Sequence, residues 1–101
     1  KFKYLKFEEW YLSQLGMLTN LVYKMGASPI YVTQTTGYGH SSESFIVART
    51  IIKHCYSNNL LCLDLAKNLD LKYEDFYDES HLNIDGSKKM AEYIYANIPI
   101  F

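Results

Sequence analysis

The chain has 101 residues, 49% of them apolar, and a formal net charge of −1 at pH 7. These values predict one small globular domain with a single core and exclude a disordered chain. The basic residues are nearly all lysine and form no block, so a nucleic-acid surface is not expected. No apolar run approaches the roughly 20 residues of a membrane span.

The first predicted helix covers residues 7–25 and ends at Gly26, because apolar side chains recur there at spacings of three and four. Pro29 then leads into the run IYVTQT, whose β-branched and aromatic residues predict a buried strand. The predicted inward face of the helix consists of Phe7, Tyr11, Leu15, Leu18, Val22 and Met25.

A loop, TGYGHSS, separates this strand from a second predicted helix over about residues 43–57. Its buried face is expected to contain Phe45, Ala48, Ile52 and Cys55, with His54 exposed. The run LLCLDL, residues 60–65, predicts a second strand. A last helix is predicted from Asp85, as its N-cap, to Ile98 before Pro99.

The element order predicts two parallel strands joined by a crossover helix, with both faces of the sheet covered. The expected fold class is therefore a three-layer α/β/α parallel sheet of flavodoxin-like style. Two strands are too few for a stable sheet of this kind. Residues 1–101 are therefore expected to be the C-terminal portion of a single α/β hydrolase-like domain, completed by a missing N-terminal half or a partner chain.

Cys55 and Cys62 fall in different predicted elements, which favours two buried thiols over a disulfide and fits a reducing, cytoplasmic compartment. Neither cysteine nor any histidine has the spacing of a zinc site, so no metal and no other cofactor is predicted. Tyr38 and His40 follow the first strand among glycines. They are either substrate-binding residues lining a pocket or plain turn residues.

The stretch FYDESHLNIDG, residues 76–86, places Asp78 three residues before His81. At this spacing the carboxylate can accept the Nδ1 proton of the imidazole, which leaves Nε2 free as a base. Ligands of parallel sheets bind beyond the carboxyl ends of the strands, and both His40 and this pair follow such ends. A bare pair of this kind is more often part of a solvated loop in which the Asp and the His serve as local caps.

The strand ending at Asp64, the F-x-D-x-x-H-L-N-x-x-G pattern from Phe76 to Gly86 and the closing helix together resemble the C-terminal block of the SGNH (GDSL-type) hydrolases. The resemblance covers about residues 28–98 and is most specific at 76–91. It implies ester hydrolysis through serine acylation, with His81 as the general base and Asp78 as its orienting carboxylate. The implied substrate is an O-acetyl or short acyl ester, including an acylated carbohydrate.

The family's Gly-Asp-Ser, oxyanion-glycine and Gly-x-Asn-Asp blocks are absent from these residues. The nucleophilic serine is therefore expected from residues outside this chain, and the chain alone is expected to be inactive. Ser41 and Ser42 are the nearest substitutes in position. A hydrolase and an acyltransferase remain equally compatible with the pattern. The alternative is a non-catalytic interaction module that binds a partner through an open sheet edge.

Overall fold

The structure, a computed structural model, describes residues 5–36 and 42–99. Helix α1 is long, α2 connects the two strands, and α4 closes the described region, with a short α3 and one 3₁₀ turn between β2 and α4. The elements in chain order are α1 (Leu5–Lys24), β1 (Ile30–Val32), α2 (Ser42–Asn58), β2 (Leu61–Leu63), α3 (Leu65–Asn68), the 3₁₀ turn (Tyr73–Asp75) and α4 (Ile84–Asn97).

Strands β1 and β2 are parallel neighbours, as the sequence predicts, with Ile30 opposite Leu61 and Val32 opposite Leu63. Each strand has only three residues. The pairing continues for one further bond, from the Thr33 amide to the Leu63 carbonyl oxygen at 3.0 Å. The Thr33 hydroxyl then donates to Asp64 Oδ1 at 2.8 Å, which connects the carboxyl ends of the two strands.

The predicted three-layer α/β/α sheet is wrong for the described residues, which form a mostly helical structure around this single strand pair. The prediction assumed that apolar strands are covered on both faces. Instead, the Ile30 and Val32 residues of β1 remain 37% and 38% exposed. An apolar run shows that a strand can be buried, but burial also requires an element packed against each face, and within residues 5–36 and 42–99 no element fully covers these two side chains.

Helices α1 and α2 pack against each other and form the main core. Leu15, Ile51 and Cys55 are its buried centre, and Tyr31 of β1 packs against them. The buried Glu8 carboxylate joins the two helices, because its Oε2 accepts a bond of 3.1 Å from the Arg49 guanidinium. The further side chains packed against this core are Tyr11, Val47, Leu60 and Cys62.

The predicted inward faces of both helices are only partly correct. Of the predicted inner face of residues 7–25, Leu15 is buried, but Leu18 and Met25 are exposed, and the buried positions of α1 also include Glu8 and Thr19. In α2, Cys55 is buried as predicted, whereas Phe45 is exposed. The predictions selected apolar residues for the inner faces, but ion pairing and hydrogen bonding allow Glu8, Thr19, Thr50 and His54 to be buried instead.

His54 is the clearest of these corrections, since it was predicted to be exposed and is only 5% exposed. Its Nδ1 lies 3.2 Å from the Asn58 side-chain nitrogen, which is a donor, so the ring proton belongs on Nε2. Nε2 then donates to Thr19 Oγ1 at 2.8 Å. Thr19 Oγ1 also lies 2.7 Å from the Tyr31 hydroxyl, which completes a buried polar contact between α1, α2 and β1.

The prediction of two buried thiols is confirmed for Cys55, which is free and buried, whereas Cys62 is free but only half-buried. Burial raises the pKa of each thiol, so both remain protonated at neutral pH. Gly26, the predicted end of the first helix, adopts a positive φ of 83° just beyond α1. No helix within the described ranges is long and apolar enough to cross a membrane.

Candidate functional site

The Asp78–His81 segment forms a closed loop between the 3₁₀ turn and α4. An isolated antiparallel bridge pairs Phe76 with Leu82. Within this bridge the Tyr77 amide donates to the His81 carbonyl oxygen at 3.0 Å. Asp78, Glu79 and Ser80 therefore form the tip of a tight turn. This turn brings the first and last residues of the D-x-x-H pattern together.

The Asp78 carboxylate accepts hydrogen bonds from three donors within this turn. Its Oδ1 accepts the backbone amides of Ser80 at 2.9 Å and His81 at 2.8 Å. Both carboxylate oxygens also lie 2.9 Å from His81 Nδ1. These bonds favour the ionised form, and the pKa of Asp78 is lowered first by the Ser80 amide and then by the His81 side chain.

This geometry assigns the protons of the His81 ring. With two carboxylate oxygens against Nδ1, the neutral imidazole carries its proton on Nδ1 and leaves the lone pair on Nε2. Nε2 makes no hydrogen bond with any residue in the described ranges. The side chains of His81 and Asp78 are 64% and 48% exposed. The pair is therefore fixed in tautomer by its own loop and accessible from solvent.

Tyr77 limits the orientation of this imidazole. Its ring stacks on His81 with a centroid distance of 5.7 Å and an interplanar angle of 22°. Ser80 Oγ lies 3.3 Å from Nδ1. This serine contacts the nitrogen that faces Asp78, so it does not occupy the position of a nucleophile for Nε2.

Asp75, the last residue of the 3₁₀ turn, connects the 76–82 loop to α4. Its side chain is buried and accepts the Lys72 amide at 2.8 Å and Lys89 Nζ at 2.9 Å. The Lys72 amide first, and then Lys89, lower the pKa of Asp75. The Asp75 carbonyl oxygen accepts the Asn83 amide at 2.9 Å, so this one residue fixes both ends of the 76–82 loop.

The first turn of α4 packs directly against Asp75. Asn83, not the predicted Asp85, is its N-cap, because Asn83 Oδ1 accepts the Gly86 amide at 3.0 Å. Position 86 requires glycine, since a Cβ there would overlap the Asp75 carbonyl oxygen. Because Gly86 allows α4 to approach the backbone of Asp75 closely, the loop that carries His81 lies beside this helix.

A cavity of about 360 Å³ lies beside the imidazole and is called the His81 cavity below. It extends past the carboxyl end of β1, the edge of the sheet at which the sequence predicted a site. Its lining consists of Val32, Thr33, Gln34, Thr35, Leu65, Tyr77, Ser80, His81, Leu82, Ser87 and Met90.

A second cavity, of about 400 Å³, is lined by Asp64 and by residues of α2 and α3. Phe45, Ala48 and Ile52 give it an apolar wall, and Arg49 and Lys67 also line it. Among the described residues that line it there is no histidine or serine, and neither Asp78 nor His81 contributes to it.

The structure brings together Asp78 and His81 of the predicted site residues, while their catalytic role stays a prediction. Tyr38, His40 and Ser41 lie outside the described residues, as does the side chain of Ser42. No three His, Cys, Asp or Glu side chains within residues 5–36 and 42–99 form a metal-binding group. The sequence analysis did not predict the ion pair between Lys89 and Asp75. The two residues are 14 positions apart, and no local spacing pattern indicates a contact over that distance.

Comparisons with protein-family models, with curated proteins and with solved structures find no match for this chain.

Proposed function

We propose that this chain provides the base of an SGNH-type ester hydrolase. His81 is the general base, Asp78 orients it, and the nucleophilic serine belongs to residues outside this chain. The observation that carries the proposal is the pair of 2.9 Å contacts from the Asp78 carboxylate to His81 Nδ1, with Nε2 unbonded to described residues. The resemblance of residues 76–91 to the D-x-x-H block of that family also supports it.

In the proposed reaction, His81 Nε2 takes up a proton and gives it back twice, once in acylation and once in deacylation. Nε2 first takes the serine proton while the serine oxygen attacks the ester carbonyl carbon, and Asp78 stabilises the resulting imidazolium. Nε2–H then protonates the departing alcohol, which leaves an acyl-serine. Water then attacks the acyl carbon and gives a proton to Nε2, and Nε2–H returns that proton to the departing serine oxygen, which releases the carboxylic acid and restores the free serine and the neutral imidazole. An alcohol in place of water would make the same residues an acyltransferase.

Esterase assays of the protein expressed from its complete coding sequence test this proposal. The His81→Ala variant should lower kcat for p-nitrophenyl acetate by about six orders of magnitude, as the loss of a triad base does elsewhere. The matched control is Glu79→Gln, which changes an exposed carboxylate in the same turn and should leave kcat nearly unchanged. Near-normal activity of His81→Ala would contradict the proposal.

A second candidate function follows from the exposed strand β1. Within the described residues β1 pairs only with β2, so its other edge has no strand against it. Ile30 and Val32 add exposed apolar surface to that strand. This arrangement favours an interaction module in which an extended segment of a partner chain adds a strand to β1.

Sedimentation of the chain distinguishes this second candidate. An open β1 edge should make the 101-residue chain self-associate, and Ile30→Lys should weaken that association by placing a charge on the strand. Leu21→Lys, a change of an exposed apolar residue on α1, is the matched control. A monomer at all concentrations would contradict the module.

A further inference from the structure

Helix α1 has an inner face in the core and an outer face that the other described elements leave largely uncovered. Leu15 and Thr19 belong to the inner face, which packs against α2 and β1. The outer face carries large apolar side chains, which lie within about 100° of one another around the helix. They remain 38% to 64% exposed, and they are Phe7, Trp10, Met17, Leu18 and Leu21. A continuous exposed apolar surface of this kind marks an interaction site.

The outer face of α1 is symmetric about Gln14, which lies at its centre and is also exposed. Trp10 and Leu18 are each four positions from Gln14. Phe7 and Leu21 are each seven positions from it. Offsets of four and seven bring side chains to one side of a helix. The aromatic members of the face therefore precede Gln14, and the aliphatic members follow it at matching distances.

This symmetry makes the outer face complementary to a second copy of itself. When two α1 helices pack antiparallel with Gln14 on the twofold axis, a residue before Gln14 faces the residue equally far after it in the other copy. Trp10 then packs against Leu18 of the second copy, and Phe7 against Leu21. Each contact occurs twice, so every aromatic ring meets an aliphatic side chain.

Gln14 provides the polar contact at the axis. Its amide has both donors and an acceptor, so the two Gln14 side chains can bond each other across the axis. A single polar residue within an apolar helix seam fixes the register of pairing. The members of the outer face carry no charge, so closing the pair buries no unpaired charge. These features favour a second copy of this chain over an unrelated partner, which would have to match the same symmetric spacing.

The exposed area is sufficient for a dimer of modest affinity. A large side chain at about half exposure leaves on the order of 100 Å² uncovered, so the five apolar members give about 500 Å² per copy and about 1,000 Å² for the pair. Specific interfaces begin at about this size, and those at the lower limit are typical of weak association. The dimer should therefore dissociate on dilution.

We propose that the outer face of α1 is a homodimer interface, at which a second copy of this chain packs antiparallel with Gln14 on the twofold axis. The inference goes beyond the proposed function and does not depend on it, because no member of the outer face lines the His81 cavity. It also differs from strand addition at β1, which uses the edge that carries Ile30 and Val32.

Sedimentation equilibrium of the 101-residue chain, from about 1 μM to about 1 mM, tests this interface. Leu21→Lys should raise the dissociation constant of the dimer at least about a hundredfold, since each copy loses one buried leucine. The matched control is Tyr23→Lys, because Tyr23 is 49% exposed on the same helix and lies about 200° around it from Leu21. A monomer at all these concentrations, or equal weakening by both variants, would overturn the proposal.

The same measurement separates the α1 dimer from strand addition at β1, for which Leu21→Lys serves as the control. Here Ile30→Lys should leave the dimer intact and Leu21→Lys should disrupt it. A dimer that is lost in Ile30→Lys and kept in Leu21→Lys would support the β1 edge and overturn the α1 interface.

Cysteine cross-linking tests the register of the pair. Gln14→Cys places a thiol on the twofold axis and should give a disulfide-linked dimer under mild oxidation. In the antiparallel pair the two copies of Lys24→Cys should lie about 30 Å apart along the helices, too far for a disulfide. The wild-type chain, with Cys55 and Cys62, is the control and should give no linked dimer. No link in Gln14→Cys, or links in both variants as a parallel pair would give, would overturn the proposal.

Discussion

Lys89 Nζ lies 2.9 Å from Asp75 Oδ2 and connects α4 to the turn that precedes the His81 loop. Asp75 also accepts the Lys72 amide, so it has one backbone and one side-chain partner. Loss of Lys89 removes one bond, whereas loss of the Asp75 carboxylate leaves two donors unpaired. We therefore expect Asp75→Ala to lower the midpoint of thermal unfolding more than Lys89→Ala does. An equal effect of the two changes would show that the Lys72 bond contributes little.

Gly86 and Gly16 form a matched pair for a test of the α4 packing. A Cβ at position 86 would overlap the Asp75 carbonyl oxygen, whereas a Cβ at position 16 meets nothing within 4 Å. Gly86→Ala should reduce the free energy of unfolding by about 1–3 kcal/mol, the usual cost of overpacking. Gly16→Ala should increase it by about 1 kcal/mol, because alanine favours the helix. Denaturant unfolding of both variants measures these changes, and a tolerated Gly86→Ala would contradict the packing.

His54 predicts how stability depends on pH. Desolvation by burial lowers its pKa below the ordinary value of 6.5. The unfolded chain therefore takes up a proton near pH 6.5 that the folded chain does not, so the free energy of unfolding falls as pH drops below 6.5. Above that pH this contribution is fully present. Urea unfolding at pH 7.5 and pH 5.5 should show the decrease, and His54→Gln should reduce it.

Asp75 and Asp78 add a second decrease at lower pH. The pKa of each carboxyl is below the ordinary value of 3.8 in the folded chain. Their contributions are present above about pH 3.8 and are lost as pH falls through the lowered folded pKa values. The resonances of the 76–82 loop should therefore broaden or move in this acid range before α1 and α2 unfold. A loop that unfolds together with these helices at pH 5 would contradict this assignment.

The tautomer of His81 can be observed directly. If Asp78 accepts the Nδ1 proton, long-range ¹⁵N correlation spectra at pH 8 should show the proton on Nδ1 and an unprotonated Nε2. Asp78→Asn presents an amide to the ring and should allow a mixture of tautomers. Glu79→Gln should leave the wild-type pattern. A wild-type imidazole with its proton on Nε2 would show that the Asp78 contact does not fix the ring.

Local patterns predicted the main helices, the parallel strand pair and the Asp78–His81 contact, but the predicted three-layer fold class is wrong. The α1 periodicity, Gly26, the parallel strands and the Asp78–His81 contact all depend on residues close in sequence or on simple strand connection rules. Packing partners were less predictable, because burial of His54 depends on Thr19, 35 residues away. The exposure of Ile30 and Val32 likewise depends on elements that pack beside β1, which the β1 residues themselves do not specify.

The most direct test of the central claim is fluorophosphonate labelling of the protein expressed from its complete coding sequence, followed by peptide mass mapping. Our account predicts one labelled serine outside residues 1–101, labelling that is lost in His81→Ala and retained in Glu79→Gln, and no label on the isolated chain. A protein without a reactive serine, or labelling that is unchanged in His81→Ala, would contradict the assignment of His81 as the base.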